Sequence, residues 1–152
     1  MSGSEAAGKL PTNAGARRLV EDLGLETHPE GGWFRRVWTA PGSSTDDRSA
    51  GSAIEFLMEA GAGSRWHRID ASEVWTLAQG GPVVLSMSDG TAEPTEVVVG
   101  GRTGVNQAVV PPGTWQAART TGDWSLVVCV VVPEFRYEGF ELAPPGWEPG
   151  AV

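Results

Sequence analysis

Gly61-Ala-Gly-Ser-Arg-Trp-His-Arg-Ile-Asp-Ala-Ser-Glu-Val-Trp-Thr-Leu-Ala-Gln-Gly80 is the segment on which the reading of this chain turns. It runs between two glycine turns and carries one histidine, His67, followed by a glutamate, Glu73. Even separations along a strand put side chains on one face, so Ile69 shares the face of His67, while Trp75 and Leu77 share that of Glu73. A turn at Asp70-Ala-Ser72 separates the two stretches, and antiparallel pairing across it brings His67 and Glu73 together. From Ser52 onward, apolar stretches of this length recur at the spacing of roughly 8–12 residues expected of a sandwich or barrel. Strands are expected near 52–59, 65–70, 73–79, 82–88, 94–99, 105–110, 114–120 and 124–132. Gly61-Ala-Gly63, Gly80-Gly81, Asp89-Gly90, Gly100-Gly101, Pro111-Pro-Gly113 and Thr121-Gly122 supply the turns between them.

Upstream, Asn13 is suited to cap a helix over 14–23, with Gly24 as its stop and Leu19, Val20 and Leu23 as its apolar stripe. His28-Pro-Glu-Gly-Gly32 reads as a turn, Trp33 to Ala40 as a strand, and 41–51 as a polar loop. Residues 1–12 are small and polar and are expected to form a mobile leader, and 144–152 an irregular tail. One all-β domain over 13–143 follows.

The 152 residues suffice for one core. Eleven basic side chains against nineteen acidic ones give a net charge of −8, a sign that argues against a nucleic-acid backbone or an anionic membrane as partner. The single cysteine, Cys129, lies in an apolar run and reads as an inert buried thiol. Neither a signal-peptide run nor a stretch of about 20 apolar residues is present, so the cytoplasm is the expected location.

The motifs resemble those of the cupins. The glycine, single histidine, Ser72-x-Glu73-x-Trp75 and closing glycine are similar to the first cupin motif, and Pro111-Pro-Gly-Thr-Trp-Gln-Ala-Ala-Arg119 to the second. The likeness is closer to the small single-domain cupins known as DUF985 or cupin-5. It rests on His28-Pro-Glu-Gly-Gly-Trp33, Ser64 to Arg68, Pro111 to Ala118 and Phe140 to Ala143, in that order. The resemblance implies a double-stranded β-helix, a jelly-roll-like barrel, and a homodimer. Fold alone does not choose a reaction.

Metal-binding cupins, as the resemblance implies, hold a divalent ion with three histidines and a glutamate. The matching positions here are His67, Ile69, Glu73 and Gln116, and Thr76 stands where relatives often carry a further histidine. Amide oxygen is a poor donor to the metals that imidazole favours, so no cofactor is expected. His28 stands far upstream, outside the expected site. A metal-free pocket leaves His67 as general base and Glu73 or Asp70 as its orienting carboxylate. Arg36, Arg68 or Arg119 suits an anionic group of the ligand, and Trp66, Trp75 and Trp115 suit a flat or sugar-like ring. Gln116 would fix orientation, and Glu30 is a further pocket candidate. These residues point to an epimerase, isomerase or lyase acting on a modified sugar or small carbonyl compound. The alternatives are a non-catalytic binding protein and, further off, a metal-dependent oxygenase. A second acid–base group across the pocket separates the first two; Tyr137 is the sole tyrosine, and if it lies outside the barrel mouth Glu55 or Glu73 must serve and the binding-protein reading gains.

Overall fold

The computed structural model describes residues 9–42 and 47–150. Two antiparallel sheets face each other. One has six strands in the order β1 (Glu26–Thr27), β2 (Trp33–Thr39), β3 (Ser52–Glu59), β10 (Trp124–Val132), β5 (Ser72–Gly80) and β8 (Gln107–Val110). The other has five, in the order β11 (Phe140–Leu142), β4 (Ser64–Ile69), β9 (Trp115–Thr120), β6 (Val83–Ser88) and β7 (Thr95–Val99). This is the expected all-β jelly roll, and the strands expected from 52 onward are present within a residue or two of their expected ends. Two short strands went unforeseen. β1 and β11 are too brief to show a period of two, and neighbouring strands define them: β1 pairs with β2, and β11 with β4.

The helix α1 (Ala14–Leu23) begins where Asn13 Oδ1 accepts the Ala16 amide at 3.0 Å and stops at left-handed Gly24. Its apolar side packs Ala16 and Val20 on Trp33, Leu57 and Leu126, closing one part of the outer face of the six-stranded sheet. Residues 9–12, expected to be mobile, are instead anchored. Trp33 Nε1 donates to the Lys9 carbonyl at 2.6 Å, and the Glu59 carboxylate accepts from the amides of Thr12 and Asn13. Residues 1–8 of the expected leader lie outside the described residues. The tail to Gly150 contains no strand or helix, as expected, and its Trp147 packs on Trp115 with ring centroids 4.6 Å apart. Among the described residues no helix is long and apolar enough to cross a membrane.

Between the sheets the barrel divides in two. Phe56, Met58, Trp75, Val83, Leu85, Val99, Val110 and Val127 fill one part as a dry core. Toward the other end the inward positions of the same strands carry His67, Ile69, Glu73, Ile54 and Cys129, which line a cavity. One turn closes that end. In His28-Pro-Glu-Gly-Gly32 the Gly31 amide donates to the His28 carbonyl and the His28 amide to the Gly32 carbonyl, both at 3.0 Å. Proline suits the second position of such a turn, and Gly31 and Gly32 adopt φ of 104° and 74°, where a side chain is strained. A Cβ on Gly32 would also come within 2.6 Å of the Leu57 carbonyl oxygen. Gly32→Ala is therefore expected to lower unfolding free energy by about 2 kcal/mol, measured by urea denaturation; an unchanged midpoint would mean that this turn does not constrain the barrel.

Candidate functional site: a buried carboxyl–imidazole cavity

The turn delivers Glu30 into the barrel. Its carbonyl accepts the Arg65 amide at 2.7 Å, stitching the turn to the start of β4, and its side chain points at His67 two residues further along that strand. Glu30 Oε1 accepts from the Ser64 hydroxyl at 3.0 Å, and Oε2 lies 3.1 Å from His67 Nε2. The other imidazole nitrogen, Nδ1, is 2.7 Å from the Arg65 carbonyl. A carbonyl can only accept, so Nδ1 carries a hydrogen, and Nε2 shares a single proton with the Glu30 carboxyl. Burial decides where that proton rests. It pushes Glu30 up to about 8 and His67 below its usual value, so near neutral pH the pair is a carboxylic acid donating to a neutral imidazole.

Glu73 enters from β5. Burial first, then the neighbouring Glu30, raise its carboxyl to about 7, against the lowering influence of His67, the Gln116 amide and the Trp75 indole. Gln116 pairs in register with His67 and is fully buried; its Oε1 accepts Trp75 Nε1 at 3.0 Å, and its Nε2 has no hydrogen-bond partner. His28, placed outside the site by its distance in sequence, lines the cavity. Its Nδ1 accepts the Glu30 amide at 3.2 Å, and burial, aided by His67, lowers it to about 4, so it stays neutral. Burial likewise pushes the Cys129 thiol up, which keeps it unreactive. Phe34, Phe56, Phe135, Ile54, Ile69 and Val131 form the apolar walls of a cavity of about 150 Å3, room for a small molecule, and Arg36 and half-exposed Tyr137 also line it.

Of the residues singled out in the sequence, Glu30, Arg36, His67 and Glu73 line this cavity, with Gln116 and Trp75 buried behind it. The orienting role expected of Glu73 or Asp70 falls instead to Glu30; Asp70 is half exposed and pairs with Arg48 at 2.7 Å. Trp66, Trp115 and Arg119 are elsewhere. Because His67 and Gln116 face inward, the period of two sends Trp66, Arg68, Trp115 and Arg119 to the outer face. There Trp66 and Trp115 pack on Trp147, Arg68 lies 4.7 Å over Trp115 and pairs with Glu141, and Arg119 approaches Glu96 at 3.7 Å. Glu55 also faces outward, paired with Arg35, whereas Tyr137 reaches the cavity through the strap that follows β10. His28 was missed as a cavity residue because it is far from His67 in sequence, although the motif status of His28-Pro-Glu-Gly-Gly was an available signal; Tyr137, whose position the sequence left open, also lines the cavity.

The positions that hold metal in other cupins do not fit one here. Ile69 has no donor atom, Gln116 Oε1 is engaged by Trp75, and His67 Nε2 faces Glu30. Among the described residues, no three His, Cys, Asp or Glu side chains are arranged to hold an ion.

Two antiparallel sheets closed over a cavity at one end define a cupin barrel. The chain matches the family model described as Cupin superfamily (DUF985) over residues 17–143, and it belongs to that family. A solved protein of Shewanella oneidensis is 32% identical, with 84% of each chain covered and a TM-score of 0.80. A hypothetical protein from Leishmania major is 26% identical over 84% of this chain and 86% of its own, with a TM-score of 0.76. Oxalate decarboxylase from Bacillus subtilis shares the fold alone, at 14% identity over 76% of this chain and 29% of that one, with a TM-score of 0.59. No curated protein matches the chain.

The cavity carboxyls give a sign to the pH dependence of stability. An acid raised from 4.5 in the unfolded chain to about 7 or about 8 in the fold binds its proton more tightly when folded, so stability falls as pH rises through that interval. His67 and His28, both lowered, act in the opposite direction only below their ordinary value of 6.5. The melting temperature is therefore expected to decline from about pH 6.5 to about pH 8, and less steeply in Glu30→Gln. A flat wild-type profile over that window would show that these carboxyls are not protonated in the fold.

Proposed function

We propose that this protein is a metal-free acid–base catalyst that enolises a small carbonyl compound, such as a modified sugar, as an epimerase, isomerase or lyase does. The observation that carries the reading is the single proton held between Glu30 and His67 beside a second carboxyl, Glu73, in a largely apolar cavity. Glu73, near half ionised at neutral pH, takes the proton from the carbon next to the carbonyl. The Glu30–His67 pair gives its proton to the carbonyl oxygen as that oxygen gains charge. One carboxylate is neutralised as another forms, so the apolar site never holds an additional net charge. Reprotonation from the other face or at the other carbon then yields the epimer or isomer. Tyr137, on the cavity wall, supports this reading over a purely binding one because a phenol is a further acid–base group at the edge of the cavity.

The test is proton exchange. Aldoses, ketoses, sugar nucleotides and keto compounds incubated with the protein in D2O are expected to gain deuterium next to the carbonyl, followed by NMR. The rate is expected to be highest between about pH 7 and about pH 8, where Glu73 is ionised and the Glu30–His67 pair still holds its proton. Glu73→Gln and His67→Gln are expected to slow exchange by about 100-fold or more, with far-UV circular dichroism unchanged. Ligands that raise the melting temperature without any exchange would assign the cavity to sensing or storage instead.

We also propose that two copies associate through the outer face of the six-stranded sheet. Trp38, Ala53, Val130, Val74 and Val109 stand side by side across β2, β3, β10, β5 and β8, and Trp38 and Val109 are 48% and 56% exposed. Sedimentation is expected to give a dimer that Val109→Lys converts to monomer. A monomeric wild type at micromolar concentration sinks this proposal.

A further inference from the structure

The cavity holds two carboxyls, Glu30 and Glu73, and among the described residues one arginine and no lysine line it. That arginine, Arg36, is already engaged. Its Nη1 donates to Glu134 Oε2 at 2.8 Å, its Nη2 to the Phe135 carbonyl at 2.9 Å, and a weaker bond reaches the Thr39 hydroxyl at 3.3 Å. Glu134 is held in turn, because its Oε1 accepts the Ser49 amide at 3.1 Å, and that amide bond, followed by the Arg36 guanidinium, keeps its carboxyl below the usual range. The neighbouring Arg48 donates to the Glu134 carbonyl and to Asp70. Arg36 thus fastens the strap that carries Phe135 and Tyr137 to the edge of the cavity, with Nη1 and Nη2 each donating to it. The histidines offer no replacement charge: His28 is neutral, and His67, whose Nδ1 hydrogen faces the Arg65 carbonyl, is a neutral imidazole beside Glu30.

We infer that the cavity selects uncharged hydroxy-aldehydes and hydroxy-ketones over their carboxylate and phosphate counterparts, with the Arg36–Glu134 pair as the specificity-determining contact. The inference rests on the proposed use of the cavity and deepens it by naming the substrate class. An anion entering the cavity meets Glu73 and Glu30 without a free cation to pair with, and an unpaired buried charge is strongly disfavoured. A neutral polyol asks only for hydrogen bonds, which the two carboxyls can give when protonated and accept when ionised. Glu134 and the Phe135 carbonyl take Nη1 and Nη2, the pair of donors that an acid or phosphate group on the ligand would otherwise engage.

Titration calorimetry with a matched set — glucose, mannose, glucuronate and glucose 6-phosphate — tests it without reference to turnover. Wild type is expected to bind glucose or mannose roughly tenfold or more tightly than either anion. Glu134→Gln frees the guanidinium and is expected to improve anion binding by about tenfold, narrowing that ratio, and Arg36→Gln placed on top of it is expected to remove the gain. Should Glu134→Gln loosen the strap and bind nothing, the wild-type ratio alone still decides. Tighter binding of glucuronate or the phosphate by wild type overturns the inference, as does failure of all four to bind. The outcomes separate from those of the reaction itself. Selective binding of the neutral sugar without deuterium exchange sinks the catalytic reading and keeps the selectivity, whereas exchange on anionic substrates alone does the reverse.

Discussion

The contact between Glu30 and His67 is what the functional half of the barrel is built around. It requires a carboxyl to be carried into an apolar interior, and two backbone features make that possible. The turn at 28–32 has the proline and the positive-φ glycines that let the chain reverse sharply enough to aim Glu30 inward. The Arg65 amide then fixes the Glu30 carbonyl, and the Arg65 carbonyl fixes His67 Nδ1, so one residue of β4 holds both partners in register. Ser64 completes the arrangement by donating to Glu30 Oε1. A buried carboxyl with these partners stays protonated more cheaply than it ionises, and the imidazole beside it stays neutral.

From that pair follows the electrostatic character of the cavity. Its groups avoid net charge: Glu30 and His67 share a proton, His28 is too weakly basic to take one, and Cys129 does not lose its own. Glu73, raised to about 7, titrates nearest neutrality, Glu30 follows at about 8, and the acidity of Glu73 is tuned in part by Glu30. Fixed charge is confined to the rim, where Arg36 and Glu134 neutralise one another. Such a cavity suits chemistry in which a proton moves and net charge does not.

Strand alternation sorts the remaining side chains. On β4, His67 and Ile69 face the cavity while Trp66 and Arg68 face out; on β9, Gln116 faces in while Trp115 and Arg119 face out. The tryptophans of the outer face pack with Trp147 and help secure the C-terminal tail against the five-stranded sheet. Trp75, by contrast, is core, and its indole reaches the site by bonding Gln116 and by lowering the Glu73 carboxyl. Aromatic content alone does not distinguish these uses, but parity within each strand does.

The sequence alone carries the all-β class, the helix between Asn13 and Gly24, the main strands with their turns, and the family, because turn residues, caps and period-two alternation are local and because four motifs stand in order. It also marked His67, Glu73 and Glu30 as belonging to a site. Tertiary structure alone decided what these residues do to one another. His28 and Glu30 lie far from His67 along the chain and meet it only because the turn at 28–32 docks on β4, and Tyr137 reaches the cavity only because the strap after β10 folds back on Arg36. The shifts in acidity come from burial, which depends on how two sheets close over each other. That closure is a property of the whole barrel, and no local stretch of residues encodes it.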